Sequence, residues 1–278
     1  MRSGFATLVG RPNVGKSSLA NAILGTKMAI VSDKPQTTRT EIRGVVHRPG
    51  AQLVLTDTPG VHKPRTALGH RLNDTALHAV GGGDLVVLVL DATAPVGTGD
   101  RFVAARVPPG SLVVVNKVDA ASRAQVLGQL VRAANLGLGD CYPVSARTGE
   151  GVALLVDAMV AALPEGPALY PPEVVTETPE AEWVAELVRE QLLGICRDEL
   201  PHSIACRVVE WEWPRVRCEI LVERESQKGI VIGRRGAVLK AVGTAVRQEL
   251  PPGAFLELVV RVERDWPRQP RALDELGY

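Results

Sequence analysis

Gly10-Arg11-Pro12-Asn13-Val14-Gly15-Lys16-Ser17 lies between an apolar run, Phe5 to Val9, and a run of helical character, Ser18 to Leu24. Glycines stand at its first and sixth places and Lys and Ser follow, which is the spacing of a phosphate-binding loop; strand before and helix after is the context that the motif requires. The spacing has a physical reason. Gly10 and Gly15 let the backbone curl so that successive N–H groups point inward at a polyphosphate, and the following helix adds the positive end of its dipole. Arg11, Pro12, Asn13 and Val14 are then the wall of the cradle, with Ser18 just beyond it. Lys16 is placed to reach the β- and γ-phosphates and Ser17 to hold Mg2+. The plain alternative is a Gly-rich turn that fits the pattern by chance.

The bulk numbers set the frame. A chain of 278 residues exceeds a single domain of about 100 to 200, so two domains are expected. Apolar residues make up 45%, enough for packed cores, and a formal net charge of +1 advertises no nucleic-acid partner by itself. Any such partner has to be read from a local site. Cys141, Cys196, Cys206 and Cys218 show no close pairing and read as thiols of a reducing compartment. The N-terminal apolar run is too short for a secretory signal, and the strongest apolar run, Leu85 to Leu90, is far below the roughly 18 residues of a membrane span. A soluble, cytoplasmic protein is expected.

Downstream, Ser32 to Thr40 is polar and aperiodic and leads into a strand-like Ile42 to His47. A threonine hydroxyl there, from Thr37 or Thr38, can complete a Mg2+ shell while triphosphate is bound; an ordinary surface loop is the alternative. Ala51 to Thr56 reads as a buried strand that delivers Asp57-Thr58-Pro59-Gly60, where Asp57 can meet Mg2+ through water and the Gly60 N–H can touch a γ-phosphate. Two further apolar strands follow, Asp84 to Leu90 and Leu112 to Val115, the second ending in Asn116-Lys117-Val118-Asp119. A carboxylate at Asp119 accepts from both N1–H and the exocyclic amine of guanine, a donor pair that adenine lacks. The Lys117 stem can lie along the base, and Asn116 can tie the loops together. Cys141 to Val144 ends in Ser145-Ala146-Arg147, where a small residue lets a backbone N–H approach the guanine oxygen. Helix-like stretches (about Thr66 to Val80, Ala121 to Asn135, Gly151 to Leu163) alternate with these strands, so a mostly parallel sheet covered on both faces is predicted, its ligand at the strands' carboxyl ends. Thr98 to Val107 has room for a short helix at most.

These residues resemble a GTPase of the TRAFAC class, and Pro35-Gln36-Thr37-Thr38-Arg39 resembles the Era family. The resemblance implies an α/β P-loop GTPase domain that binds GTP or GDP with Mg2+. Ser17, Thr38 and Asp57 are then its metal ligands, Thr38 being the sensing threonine with Thr37 beside it. Lys16, Thr38, Gly60 and Asn13 are implied to act in hydrolysis. Val61 stands where Ras-like enzymes carry the water-orienting glutamine, so slow intrinsic turnover is expected. Related GTPases use the asparagine equivalent to Asn13 to hold a K+ ion that acts like an arginine finger; the alternative is that Asn13 only shapes the loop. Ser18 for the usual Thr and Arg147 for the usual Lys are departures from the family pattern.

Leu163 to Pro179 carries five prolines and no apolar period, and reads as a semi-rigid linker. Glu182 to Leu200 then has Val184, Leu187, Val188, Leu192 and Ile195 on one helical face, with Trp183 expected in the core. Two strands are predicted next, Ile204 to Val209 extending toward Trp213, and Val216 to Glu223. A Gly-x-x-Gly stretch follows, then a helix, Ala237 to Leu250, and a last strand, Phe255 to Glu263. This α-β-β-α-α-β order resembles an α+β type II KH domain. In such a domain Lys228, Gly229, Ile230, Ile232, Gly233, Arg234, Arg235 and Gly236 bind RNA: the side-chain-free turn and next helix approach about four nucleotides while bases lie on the apolar floor. Arg207 to Arg271 holds 13 Lys or Arg against nine Asp or Glu. The expected division is a GTPase domain over 1–164, a linker over 165–180 and a KH domain over 181–278.

The resulting expectation is a GTP-hydrolysing switch whose KH domain binds single-stranded RNA, with GTP ordering Ser32 to Thr40 and the stretch after Asp57. By resemblance the RNA is the 3′ end of the small-subunit rRNA, the partner is the small ribosomal subunit during its assembly, and a peripheral inner-membrane fraction accompanies a cytoplasmic one. DNA is not expected as a ligand, and a monomer is. The competing expectation is a regulatory GTPase whose second half docks to a protein or membrane partner, and Gly233 to Gly236 discriminates the two. An RNA chaperone with a vestigial nucleotide site is disfavoured by the presence of Lys16, Ser17, Asp57, Asn116 and Asp119.

Overall fold

Strand β1 (Arg2–Val9) is buried along most of its length and has a parallel neighbour on each side. The structure, a computed structural model, describes residues 1–196 and 200–278. From β1 the chain passes through α1 (Lys16–Leu24) to β2 (Ile42–Arg48) and β3 (Ala51–Asp57), then through α2 (Ala67–Gly82) to β4 (Leu85–Asp91). It continues as α3 (Thr98–Ala104), β5 (Leu112–Asn116), α4 (Arg123–Ala134), β6 (Cys141–Pro143) and α5 (Val152–Ala162). The sheet order is β2-β3-β1-β4-β5-β6, with only β2 antiparallel to its neighbour. Because β3 and β4 flank β1 on opposite sides, the chain reverses its winding direction at the carboxyl end of β1. That is the crevice where open α/β sheets hold ligands, and the Gly10–Ser17 loop occupies it.

Strands buried on both faces need two apolar layers, and the sheet has them. Leu8, Leu19, Leu55, Val89, Leu155 and Met159 form one core with α1 and α5. Val9, Leu88, Leu90, Val103, Val115 and Ala133 form the other with α2, α3 and α4. The region from Thr98 to Val107 does make a short helix, ending at Ala104.

The stretch expected as a linker is bonded to the sheet. The Val45 N–H donates to the Val175 carbonyl at 2.9 Å, and the Glu177 N–H donates to the Arg43 carbonyl at 3.3 Å. The buried Gln52 side chain accepts from the Leu169 and Tyr170 N–H groups at 2.6 and 2.9 Å and donates to the Tyr170 carbonyl at 2.8 Å. The reason is the edge position of β2, whose outer backbone groups need partners. Residues 164–177 supply them as an extended strap.

The chain divides into two compact units: Met1–Val31, Thr38–Arg65 and Gly69–Glu177 in one, and Ser32–Thr37, Thr66–Leu68 and Thr178–Tyr278 in the other. The second contains α6 (Glu180–Ile195), β7 (Ala205–Glu212), β8 (Arg215–Val222), α7 (Glu225–Ile232), α8 (Ala237–Gln248), β9 (Phe255–Val262) and α9 (Pro270–Glu275). Residues 197–199 of the helix predicted over 182–200 lie outside the described residues. Strand β8 is central, antiparallel to β7 and parallel to β9. Its inward face, Val216, Cys218 and Ile220, packs with Leu187 and Leu192 of α6 and Val242 and Val246 of α8. Trp183 is half-buried against this core. Trp266 is wholly buried and its Nε1–H donates to the Ser203 carbonyl at 3.0 Å. Trp211 and Trp213, by contrast, stand exposed at the β7–β8 turn with ring centroids 6.3 Å apart.

Candidate functional site

The loop after β1 is shaped by its neighbours. Gly15 has φ 92° and ψ 31°, and a Cβ there would lie 2.3 Å from the Asn116 Nδ2, so no other residue fits. Asn13 also sits at positive φ, 64°, which a short polar side chain tolerates. Lys16 opens α1 and is buried at 6% exposure, its Nζ donating to the Gly10 and Arg11 carbonyls at 3.3 and 3.2 Å. Burial pulls its pKa down to about 8, and the nearby Asp57 offsets only part of that. Phosphate oxygens would favour the charged form of such a lysine.

Beside it three side-chain oxygens converge. Ser17 Oγ donates to Asp57 Oδ2 at 2.6 Å and lies 2.8 Å from Thr38 Oγ1, which itself reaches Asp57 Oδ2 at 3.3 Å. Thr37 Oγ1 turns away and donates to the Lys34 carbonyl at 2.7 Å. Asp57 is fully buried, and its Oδ1 has no protein partner among the described residues. Burial raises the Asp57 pKa against the opposing pull of Lys16, Ser17 and Thr38. An orphaned carboxylate oxygen beside two hydroxyls is a donor set for a hard cation that keeps most of its waters, as Mg2+ does. No cluster of three or more His, Cys, Asp or Glu among the described residues offers a different kind of metal site.

The segment after Asp57 docks on the loop: the Val61 N–H donates to the Gly10 carbonyl at 3.1 Å. The Val61 side chain is 3% exposed and belongs to the core with α2, so it points away from any attacking water. Next to it, His62 is held on both sides of its backbone by Asn73 of α2, which accepts from the His62 N–H at 3.1 Å and donates to its carbonyl at 2.6 Å. The His62 Nδ1 lies 3.0 Å from the Gly60 carbonyl. Arg11 is paired with the buried Asp100 of α3 at 2.6 Å. His62, Asn73 and Asp100 were not singled out in the sequence. The one available signal was Asn73, a polar residue interrupting the apolar stripe of Leu68, Leu72 and Ala76.

At the far side of the crevice, Asn116 joins two loops: its Nδ2 donates to the Val14 carbonyl at 3.0 Å and its Oδ1 accepts from the Ala146 N–H at 3.1 Å. Lys117 bridges the Asn13 carbonyl and Asp91 Oδ2, the latter at 2.6 Å. Burial would raise the Asp91 pKa, but the bonds from Lys117 and Thr93 outweigh it and hold the carboxyl low. Asp119 accepts from Ser145 Oγ at 2.5 Å and from Arg147 Nε at 2.7 Å, and these bonds keep it ionised below the ordinary carboxylate range. Thr58 Oγ1 anchors to the Leu8 carbonyl at 2.7 Å, with Pro59 and Gly60 following in the same turn, and Ser18 lies in the first turn of α1.

In the second unit, α7 and α8 are joined by a tight turn. Gly233 has φ 73° and ψ 168°, Arg235 φ 54° and Gly236 φ 76°. A Cβ on Gly233 would meet the Val238 backbone N at 2.8 Å, so the turn needs glycine there. Arg234 and Arg235 are exposed, Ile230 is 59% exposed on α7, Lys228 and Ile232 are half-buried, and Val231 between them is wholly buried. The turn therefore presents two arginines, an exposed Gly229 and an apolar side chain at the amino end of α8.

Comparison with known proteins matches this geometry. Residues 5–117 fit a family model described as a 50S ribosome-binding GTPase, and residues 199–267 fit the KH domain model. GTPase Era of Nocardioides sp. is 44% identical over 301 residues, spanning 100% of this chain and 96% of that protein. This chain belongs to the Era family of GTPases. GTPase Era of Mycobacterium tuberculosis is 45% identical over 296 residues, covering 99% of this chain and 98% of its own length. Among solved structures, Era in complex with MgGDPNP and nucleotides 1506–1542 of 16S ribosomal RNA is similar at a TM-score of 0.94 with 35% identity, covering 100% of this chain and 99% of that one. A single-substitution variant of Aquifex aeolicus Era bound to GDP·AlF4− is similar at a TM-score of 0.93, also with 35% identity and the same coverage. As an Era family member the chain is a GTPase, with a P-loop GTPase domain followed by a KH domain.

Proposed function

We propose that this chain is a GTP-driven switch that binds single-stranded RNA at the 3′ end of the small-subunit rRNA and assists assembly of the small ribosomal subunit. The observation that carries the reading is the convergence of Ser17, Thr38 and Asp57 beside Lys16, in a chain whose second unit also holds the Gly233–Gly236 turn. The nucleotide roles follow residue by residue. The Arg11–Ser18 backbone cradles the phosphates, Lys16 places its charge between the β- and γ-oxygens, and the Gly60 N–H meets the γ-phosphate. Ser17, Thr38 and Asp57 would hold Mg2+, which when bound would supply neutralisation of the phosphate charge. Asp119 reads guanine, Ser145 orients Asp119, and the Ala146 N–H approaches the guanine oxygen.

Hydrolysis needs help, because the core-buried Val61 cannot orient water. Asn13, beside the phosphates, is the candidate holder of a K+ ion that assists. In the second unit, Gly233 to Gly236 and the amino end of α8 take the RNA backbone, with charge from Lys228, Arg234 and Arg235 and apolar support from Ile230 and Ile232. The protein acts in the cytoplasm. No helix among the described residues is long and apolar enough to cross a membrane; a peripheral inner-membrane fraction is part of the proposal.

The test is GTP turnover by the full chain with and without a single-stranded RNA of the rRNA 3′-end sequence, in matched potassium and sodium buffers. Turnover rises with RNA, rises further in potassium, and loses the RNA response in Arg235→Asp while GTP affinity is kept. Asp tolerates the positive φ at that position, so the turn survives the change. No RNA response with GTP still bound would sink the RNA-gated reading and leave a GTPase that answers to another partner. Equal rates in the two buffers would remove the role given to Asn13.

A further inference from the structure

Arg147 follows Ser145 and Ala146 in the loop after β6, and its placement is specific. Its guanidinium lies on Asp119, the Nε donating to Oδ2 at 2.7 Å and the Nη2 forming an ion pair with the same oxygen at 2.5 Å. Ser145 holds the other oxygen. The Asp119 side chain is 11% exposed, whereas that of Arg147 is 77% exposed. One partner of the bridge is therefore fixed in the crevice and the other hangs in solvent, anchored only by this contact among the interactions described.

The chemistry of the two candidate partners for Asp119 is the same. Guanine offers its carboxylate reader N1–H and the 2-amino group, two donors on one carbon in a plane, and that fragment of the ring is itself a guanidine. Arg147 offers Nε–H and Nη2–H, two donors on one carbon in a plane. Both forks cannot occupy Oδ2 together. A lysine, with a single ammonium on a flexible stem, has no such fork.

We propose that Arg147 is a competitor of the base: it occupies Asp119 as a stand-in for guanine and must be displaced when GDP or GTP binds. The idea rests on Asp119 reading guanine. With Arg147 on Asp119, guanine nucleotides are held less tightly than the same site would otherwise hold them.

Binding of a fluorescent GDP analogue to the full chain, followed by stopped flow and at equilibrium, tests this. Arg147→Ala is expected to bind about threefold tighter, chiefly through faster association, the size of effect that an exposed ion pair exerts. Arg147→Lys falls between the two. The difference between wild type and Arg147→Ala shrinks as potassium chloride is raised, because the competing bridge is screened. In an Asp119→Ala background, Arg147→Ala changes nothing, since the pair is already broken. Equal or weaker binding by Arg147→Ala with Asp119 intact overturns the proposal and means that the arginine supports the bound base instead. The guanine reading fails separately: it falls if Asp119→Ala leaves the preference for GDP over ADP unchanged.

Discussion

Lys16 is a buried cation whose desolvation the nearby Asp57 offsets only in part. Its pKa in the folded protein is about 8 against an ordinary 10.5, with burial as the larger cause. Between those two pH values the folded chain carries fewer protons than the unfolded one, so this residue makes stability rise with pH across that window and weighs against folding below it. Phosphate oxygens would reverse the shift by favouring the ammonium form. GDP binding just above pH 8 is therefore expected to take up a proton. Calorimetric titration in buffers of different protonation enthalpy measures the number, and no uptake would mean that Lys16 is already charged in the nucleotide-free protein. At this scale the grouping of the motifs at the strands' carboxyl ends was legible, because most of them end a strand and so had only one place to go. Thr37 and Thr38 were not distinguishable in the sequence. Adjacent residues in an aperiodic loop point in different directions, and only the distances from Thr38 to Ser17 and Asp57 separate them.

The element least legible in the sequence was the strap over 164–177. Prolines and the lack of any period describe a chain that forms no strand of its own, and they say nothing of an edge that needs covering. The unread signal was Gln52, a polar residue at 2% exposure within the otherwise apolar β3. Its three bonds to Leu169 and Tyr170 fix the strap. Gln52→Ala leaves backbone groups of residues 169 and 170 without these partners and is expected to cost about 1 to 3 kcal/mol. Limited proteolysis should then cut within 165–177 in the variant much faster than in the wild type. A cleavage pattern unchanged in both rate and position would show that the bonds along β2 hold the strap alone. Helices α1 and α5, in contrast, were read well from apolar periodicity, since each buries one face in a core; α6 ends at Ile195, short of the expected Leu200, and Ile195 is exposed although it was placed on the apolar face.

For the whole molecule, the two units have separate apolar cores, the sheet's own pair and that of the KH domain. A ligand that binds only folded protein stabilises the unit that binds it. GDP with Mg2+ at a hundredfold excess over its dissociation constant should add about 2.7 kcal/mol to the unfolding of the GTPase domain. Calorimetry of the full chain should show that shift in one transition and leave the other in place; two transitions moving equally would mean that the units unfold as one. The division into two units was legible from the order of elements, whereas the assignment of 32–37 and 66–68 to the second depends on contacts that no local pattern encodes. The tryptophans carry one last consequence. All four, Trp183, Trp211, Trp213 and Trp266, belong to residues 178–278, so the nucleotide-binding unit is optically silent at indole wavelengths. Any change in the intrinsic fluorescence of the unlabelled protein on mixing with GTP is thus a signal from the KH domain. Acrylamide would sort its origin, reaching the exposed pair at the β7–β8 turn and sparing the buried Trp266.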